Sequence, residues 1–185
     1  SRKGGAADVI FVSLLLEATR MVDEGFDLPS IEAAGRKAFN MPLGFLGLMD
    51  VTGIPIGLYT MYSFSDSSNP QDSLYKAYSN FFAPAKSYIE IFERYQKAKD
   101  KSQVKWIPEE VAKKEAKDLK LIDKLKNRFL AVAFMTALEV VDAGIIEMEE
   151  VDKLCQNAFL WSEGPFVLMN KMGIDEVMRI VSERM

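Results

Sequence analysis

The side chains that could do chemistry are few, and the most informative count is zero, since the 185-residue chain contains no histidine. This absence removes the commonest general base, most zinc sites and every Ser-His or Cys-His pair. Cys155 is the single cysteine, so we expect no disulfide framework, a reducing cytoplasmic location and a thiol buried in a helix. No G-x-G-x-x-G or G-x-x-x-x-G-K-[ST] segment offers a phosphate cradle. By itself, this sequence is poorly equipped for catalysis.

Charge is unevenly distributed along the chain. Residues 94–128 contain twelve Lys and Arg against six Asp and Glu, a local balance of +6, so the rest carries −10 within a total of −4. The overall negative charge argues against a nucleic-acid-binding protein. The basic segment either steers an anionic ligand or is a solvated linker and helix face, and both interpretations stay open. No apolar run reaches the ~18 residues that a membrane span needs.

The elements that must position these residues are predicted to be helices. Apolar residues recur at helical spacing over residues 7–24 and over a long stretch from Glu109 to Ala143, and a glycine follows each stretch. Residues 63–73 have the composition of a loop, and residues 73–82 that of a further helical stretch. No run predicts a strand. The sequence therefore predicts an all-α protein.

One stretch of the chain is repeated. Residues 44–54 read GFLGLMDVTGI and residues 164–174 read GPFVLMNKMGI, with Gly, Leu-Met and a final Gly-Ile at matching points. The correspondence extends backward at a spacing of 119 residues as far as Gly144 and of 120 residues after it. Two copies of a helical unit usually pack together, because each covers apolar surface that the other would expose. We place the first copy at residues 1–106 and the second, shorter copy at residues 107–185.

The repeat also predicts a shared core. We expect the helix from Asp8 to superpose on the helix from Asn127 when the two copies are compared. The residues expected in the core are Leu15, Val22, Phe39, Leu48, Phe134, Val141, Phe159 and Leu168.

The order of these motifs resembles the C-terminal helical domain of the 3-hydroxyacyl-CoA dehydrogenases, present here as a tandem pair. That family opens a long helix with Asn-Arg, has Glu-Ala and Gly at its end, and continues with a Gly-Pro-Phe loop and a helix ending in Asp-x-x-Gly. The second copy has Asn127-Arg128, Gly144, Gly164-Pro165-Phe166 and Asn170-Lys171-Met172-Gly173. The first copy has Glu17-Ala18, Gly25, Pro42-Leu43-Gly44-Phe45 and Asp50-Val51-Thr52-Gly53. The resemblance implies two tandem repeats of a 6-phosphogluconate-dehydrogenase-C-terminal-like helical domain.

The resemblance implies an oxidoreductase that interconverts an L-3-hydroxyacyl-CoA and its 3-ketoacyl-CoA with NAD. In that family, an N-terminal dinucleotide-binding domain holds NAD and supplies the catalytic His and Glu. Neither that domain nor a histidine is present here, so the resemblance implies a fragment that lacks the NAD-binding domain, binds no cofactor itself and is inactive alone. Tandem copies also resemble multifunctional proteins of fatty-acid β-oxidation, in which an enoyl-CoA hydratase domain is fused to the same chain.

The partners implied by the resemblance are an acyl-CoA substrate, the dinucleotide-binding domain and a hydratase domain. A CoA tail carries several phosphate charges, which the basic segment 94–128 would steer.

The resemblance also assigns two candidate site residues. The family's Asn at the head of the long helix lies beside the substrate and the catalytic His, where an amide both donates and accepts hydrogen bonds. The second copy keeps it as Asn127, for which a helix-start or inter-repeat hydrogen bond is the alternative role. In the first copy the position is Asp8, with Val9 in place of Arg. An ionised Asp only accepts and repels a developing oxyanion, so Asp8 is a natural variation, an altered terminus or a degenerate site.

Two other function classes stay open. A non-catalytic helical interaction module with a degenerate site would account for Asp8 and the missing Arg, and binding of acyl-CoA would discriminate against it. A relative that acts on a different hydroxy acid rests on fold analogy alone.

Overall fold

Helices form the regular structure of this protein. The computed structural model describes residues 5–65 and 81–184. The α-helices there are α1 (Ala6–Asp23), α2 (Leu28–Phe39), α3 (Phe45–Thr52), α4 (Ile54–Ser65), α5 (Lys86–Lys97), α6 (Glu109–Ala112), α7 (Leu119–Asp142), α8 (Met148–Phe159), α9 (Pro165–Met172) and α10 (Ile174–Arg184), with a 3-10 helix at Lys101–Gln103. No strand occurs in these two ranges, which confirms the all-α class. None of the described helices has the length and apolar character needed to cross a bilayer.

The two halves repeat one order of helices, which confirms the tandem-repeat fold. Helices α1 to α4 correspond to α7 to α10. Helix α5 and the 3-10 helix follow α4 within residues 1–106, and α6 precedes α7. The described residues with positive φ form three equivalent pairs: Gly25 (90°) and Gly144 (62°), Asn40 (51°) and Leu160 (58°), and Gly53 (101°) and Gly173 (79°). Because residues other than glycine rarely adopt positive φ, the pair Asn40 and Leu160 is strong evidence that the backbone itself is duplicated.

In the first copy, a carboxylate of α2 caps the N-terminus of α3. Glu32 accepts hydrogen bonds from the backbone N–H groups of Leu46 (3.1 Å) and Gly47 (3.0 Å). Gly44 is the N-cap, where an added Cβ would lie 2.3 Å from Glu32 Oε2 and 2.6 Å from its carbonyl oxygen. Burial raises the pKa of Glu32, although these backbone hydrogen bonds oppose the shift. The close approach of α2 and α3 thus requires glycine at this position.

The second copy contains the same arrangement with a shorter acid. Asp152 of α8 accepts hydrogen bonds from the N–H groups of Phe166 (2.8 Å) and Val167 (3.1 Å) at the start of α9. A Cβ on Gly164 would lie 2.2 Å from Asp152 Oδ1 and 2.3 Å from its Cα. The Gly-containing loops identified in the sequence therefore exist to bring a carboxylate against a helix N-terminus.

The two copies share one core. Helix α7 of the second copy packs against α1 and α2 of the first. Aromatic rings cross the boundary: Phe39 stacks on Trp161 with centroids 3.8 Å apart, and Phe45 contacts Phe129 at 4.9 Å. Such contacts bury large apolar surfaces from both copies, so neither copy has a complete core of its own.

The predicted core residues are all in or against this core. Leu15, Phe39 and Phe134 are buried, while Val22, Leu48, Val141, Phe159 and Leu168 are half-buried and pack against the buried cluster. Cys155 is buried in α8, as predicted, and burial raises the pKa of its thiol to about 12.

The long helix predicted from Glu109 to Ala143 is wrong. Helix α6 ends at Ala112 and α7 begins only at Leu119. Asp118 starts the second helix, because its side chain accepts the N–H of Leu121 at 3.0 Å and so provides an N-cap. The loop predicted at residues 63–73 begins inside α4. Its remainder and most of the helical stretch predicted at 73–82 lie outside the described residues.

Candidate functional site

Asp8 lies in the first turn of α1. Its Oδ2 accepts a hydrogen bond from the backbone N–H of Gly5 at 2.9 Å, which forms half of a capping box. The side chain is exposed. The carboxylate therefore stabilises the start of α1 and remains accessible to a ligand.

Asn127 is the ninth residue of α7 and does not begin the helix, which corrects the helix-start role considered for it. Its half-buried side chain makes no hydrogen bond to any described residue. It lines a cavity of about 290 Å³ between α7 and α10, whose other lining residues are Glu24, Lys124, Arg128, Ile180, Glu183 and Arg184. Its amide is thus free to donate and accept within a charged cavity.

Arg128, Arg184 and Glu24, which line this cavity, belong to a partly buried ion cluster. Glu17 of α1 is 0% exposed, and its two carboxylate oxygens accept hydrogen bonds from Arg128 (2.7 Å) and Arg184 (2.6 Å). Arg128 also binds Glu24 through two nitrogens, at 2.5 and 2.8 Å. The cluster joins α1 of the first copy to α7 and α10 of the second.

The arginines control the charge state of this cluster. The hydrogen bond from Arg128 lowers the pKa of Glu24, and burial opposes the shift only in part. The Nε of Arg184 is buried and has no hydrogen-bond partner among the described residues. The Asn127 cavity is therefore bordered by Glu24, whose ionised form Arg128 stabilises, and by arginines that are paired with Glu17 and Glu24.

The equivalent positions in the other half are uncharged. At the repeat spacing, Glu17 corresponds to Thr136, and Arg128 corresponds to Val9. Arg184 corresponds to an aromatic residue, Phe64. Duplication has thus preserved the backbone, while only one of the two equivalent locations holds the ion cluster.

A second cavity of about 220 Å³ lies at the start of α4, lined by Asp50, Gly53, Ile54, Tyr95, Lys101, Ser102, Val104 and Lys105. The carboxylate of Asp50 accepts the N–H groups of Trp106 (2.7 Å) and Ile107 (2.8 Å). Burial raises the pKa of Asp50, and the two backbone hydrogen bonds oppose the shift. Asp50 therefore anchors the segment after the 3-10 helix, and Lys101 of that helix and Lys105 of the segment both line this cavity.

Comparison with protein families identifies the fold. The family described as 3-hydroxyacyl-CoA dehydrogenase, C-terminal domain, matches residues 5–106 and 125–185. The chain belongs to this family. No curated protein and no solved structure gives a significant match.

The family match also clarifies the position of Asn127. The two matched segments omit residues 107–124, which contain α6 and the first six residues of α7. In this dehydrogenase-family chain, α7 therefore begins ahead of the matched segment, and its extra turns place Asn127 inside the helix. The resemblance did not predict the place of Asn127 within the helix, and its role stays a prediction.

The structure does not bring Asp8 and Asn127 together. Arg128, next to Asn127, contacts Glu17 and Glu24, which lie nine and sixteen residues beyond Asp8 in sequence. At ~1.5 Å per helical residue, this places the two candidates more than about 10 Å apart along α1. They belong to two separate locations of the dehydrogenase domain pair.

Sequence reasoning missed the role of Glu17 and of Arg184. Glu17 was noted only as part of a motif, and Arg184 not at all. A signal was present in the repeat, since an acid at residue 17 aligns with Thr136 and a cation at residue 184 aligns with Phe64. Charge that appears in one copy alone marks a place where the two copies differ in function or in contacts.

Proposed function

We propose that this chain is the helical substrate-binding and dimer-like part of an NAD-dependent L-3-hydroxyacyl-CoA dehydrogenase of fatty-acid β-oxidation, in the cytoplasm. The observation that carries the proposal is the family match across both copies, together with their shared core. The acyl-CoA substrate and a dinucleotide-binding domain are the proposed partners, and an enoyl-CoA hydratase domain in the same parent protein is part of the proposal.

The described residues do not fit NAD. A dinucleotide is normally held where a strand leads through a glycine-rich turn into a helix, and no strand occurs in residues 5–65 and 81–184. The sequence has no G-x-G-x-x-G segment. In this proposal the cofactor and the catalytic base both belong to the dinucleotide-binding domain, and this chain contributes acyl-CoA contacts and the dimer-like interface.

Asp8 is the proposed substrate-side position of the first copy, because the dinucleotide-binding domain precedes the corresponding helix in this family. Its exposed carboxylate can accept a hydrogen bond from the hydroxyl of a 3-hydroxyacyl group. It cannot donate to the oxygen of a 3-ketoacyl group while ionised. The geometry therefore predicts that the hydroxy form is bound more tightly than the keto form at this position.

Asn127 is the weaker candidate, although it keeps the family residue. Its cavity is bordered by Arg128 and Arg184, whose guanidinium groups already bind Glu17 and Glu24 and hold the two copies together. We infer that Asn127 has a structural role between the copies.

A non-catalytic interaction module is the second candidate function. It is favoured by one observation, the occupation of the family Asn-Arg position by Asp8 and Val9 in the copy that would follow the dinucleotide-binding domain. The two functions differ in whether the chain binds acyl-CoA.

Calorimetric titration of the chain with L-3-hydroxybutyryl-CoA tests the proposal. We expect saturable binding that Asp8→Ala weakens and Asn127→Ala leaves unchanged. Asp8→Asn is the matched variant, because its amide oxygen can still accept the N–H of Gly5 while its NH₂ group can donate. It should tighten binding of acetoacetyl-CoA by about tenfold, the value of one hydrogen bond. Absence of saturable binding to either thioester would support the interaction module.

A further inference from the structure

Helix α4 exposes an apolar face. Ile56, Tyr59 and Tyr62 recur every third residue, and their exposed fractions are 63%, 61% and 47%. Residues at this spacing lie on one side of a helix. Soluble proteins usually avoid a contiguous apolar surface of this kind unless it binds something.

The equivalent helix of the second copy shows that the fold does not require these residues. At the repeat spacing, Ile56 corresponds to Glu176 and Tyr59 to Arg179. Arg179 pairs with Glu176 at 2.6 Å and with Glu183 at 2.5 Å on the exposed side of α10. The same helical position is therefore stable with charged residues, so the apolar face of α4 is a property of the first copy alone.

The apolar face continues as a row of rings that ends at a cation. Tyr59 contacts Phe92 of α5 edge-on, with centroids 5.9 Å apart, and Phe92 stacks toward Tyr95 at 6.5 Å. The ammonium of Lys101 lies 4.9 Å from the centroid of Tyr95. Lys101 and Lys105 then line the cavity at the start of α4.

The two lysines are available to a ligand. Both are exposed, and neither forms an ion pair with a residue in the described ranges. Asp50, which lines the same cavity, accepts two backbone N–H groups and interacts with Lys105 only through its charge, without an ion pair. Asp100 accepts the backbone N–H and the hydroxyl of Ser102. The charge of the lysines is thus not neutralised by a salt bridge there.

We propose that the row Ile56, Tyr59, Phe92 and Tyr95, with Lys101 and Lys105 at its end, binds an amphipathic anion. An aliphatic chain lies along the rings, and an anionic head group contacts the two ammonium groups. The lysines are what distinguish this occupant from a purely apolar one, because they place positive charge at one end of the row only. A long-chain acyl-CoA belongs to this chemical class. Naming acyl-CoA as the ligand rests on the proposed function, whereas the proposed binding site rests on the contacts described above.

Dodecyl phosphate below its micellar concentration is the test ligand, with NMR chemical shifts and tyrosine fluorescence of the whole chain as the readouts. It contains neither thioester nor CoA, so its binding is independent of dehydrogenase function. We expect saturable binding with shifts in α4, α5 and the 3-10 helix. Inorganic phosphate alone and the neutral dodecyl maltoside should each bind at least tenfold more weakly.

Two variants locate the site. Ile56→Glu with Tyr59→Arg gives α4 the residues that α10 already carries, and should weaken binding at least tenfold without loss of helix content. Lys101→Gln with Lys105→Gln should weaken dodecyl phosphate about tenfold, while Lys113→Gln with Lys114→Gln, at exposed lysines of the same basic segment, should have no effect.

Three results would overturn the inference. One is equal affinity of the original chain and the Lys101/Lys105 variant, which changes surface residues only and so keeps the test valid if the α4 variant fails to fold. The second is a dimer in sedimentation that Ile56→Glu dissociates, since the face would then bind a second copy. The third is adsorption to anionic vesicles without binding of monomeric dodecyl phosphate, which would make the face a membrane contact.

Discussion

Neutralising Glu17 should destabilise the whole chain. Its carboxylate is the only buried charge that both Arg128 and Arg184 contact among the described residues, and these arginines belong to the other copy. Glu17→Gln keeps the size of the side chain and removes its charge. The guanidinium groups of Arg128 and Arg184 then lose their shared negative partner. Because both groups are partly buried, water cannot fully replace that partner.

The expected loss follows from the burial of the pair. Removing one partner of a buried ion pair costs about 3–5 kcal/mol of unfolding free energy. For a chain of this length, each kcal/mol lowers the melting temperature by roughly 2–4 °C, so the fall should be roughly 6–20 °C. The matched control is Glu24→Gln, which removes a carboxylate bound to the same Arg128. Because the Glu24 side chain is 47% exposed, its loss should cost at most ~1 kcal/mol.

Urea unfolding followed by circular dichroism measures both variants. A double-mutant cycle with Arg128→Gln should give a coupling energy of about 1.5–3 kcal/mol with Glu17. The reasoning fails if Glu17→Gln lies within ~0.5 kcal/mol of the original chain, or if the effects of Glu17→Gln and Arg128→Gln simply add.

Three further predictions concern the repeat and its carboxylates. Gly164→Ala should lower stability by more than ~3 kcal/mol, because its Cβ would meet the backbone of Asp152 at 2.3 Å, whereas Gly5→Ala, with its nearest contact at 4.0 Å, should change little in the same urea titration. Since burial raises the pKa of Glu32, the protonated form favours the fold. This stabilisation is complete below the unfolded pKa near ~4.3 and is lost as pH rises through the higher folded pKa, so the stability of the original chain relative to Glu32→Gln should fall as pH rises above ~4.3. A relative stability that grows with pH would contradict the sign. Cutting the chain within residues 107–118 should give halves that aggregate, form homodimers or melt at markedly lower temperature, and two stable monomers would refute the shared core.

The sequence was sufficient to predict the helices and the repeat, because both depend on local signals. Gly25 and Gly144 end helices in the left-handed conformation that glycine adopts readily. Asp27 caps α2 through the N–H of Ser30 at 2.9 Å, as its position before Pro29 indicates. The boundary before α7 was missed, because Lys113 to Asp118 contains neither Gly nor Pro, and a single N-cap Asp decided the outcome.

The charged cluster could not be predicted, because its members are distant in sequence. Glu17 is 111 residues from Arg128 and 167 from Arg184, and their contact exists only once α1, α7 and α10 are packed. The row from Tyr59 to Lys101 could not be predicted either, because α4, α5 and the 3-10 helix meet only in the folded chain. Within α4, the spacing of Ile56, Tyr59 and Tyr62 fits an exposed helix face and a buried one equally well. Asp8 and Asn127, by contrast, came from the resemblance, and their functional roles remain predictions.

Hydride transfer in the presence of a dinucleotide-binding domain tests the central claim most directly. The chain joined behind the N-terminal domain of a 3-hydroxyacyl-CoA dehydrogenase, and first shown to bind NAD, should form NADH from L-3-hydroxybutyryl-CoA. The chain alone should form none above a heat-killed control, since it has no histidine and its described residues form no NAD cradle. Turnover by the chain alone, or a joined protein that binds NAD and folds but forms no NADH, would contradict the account.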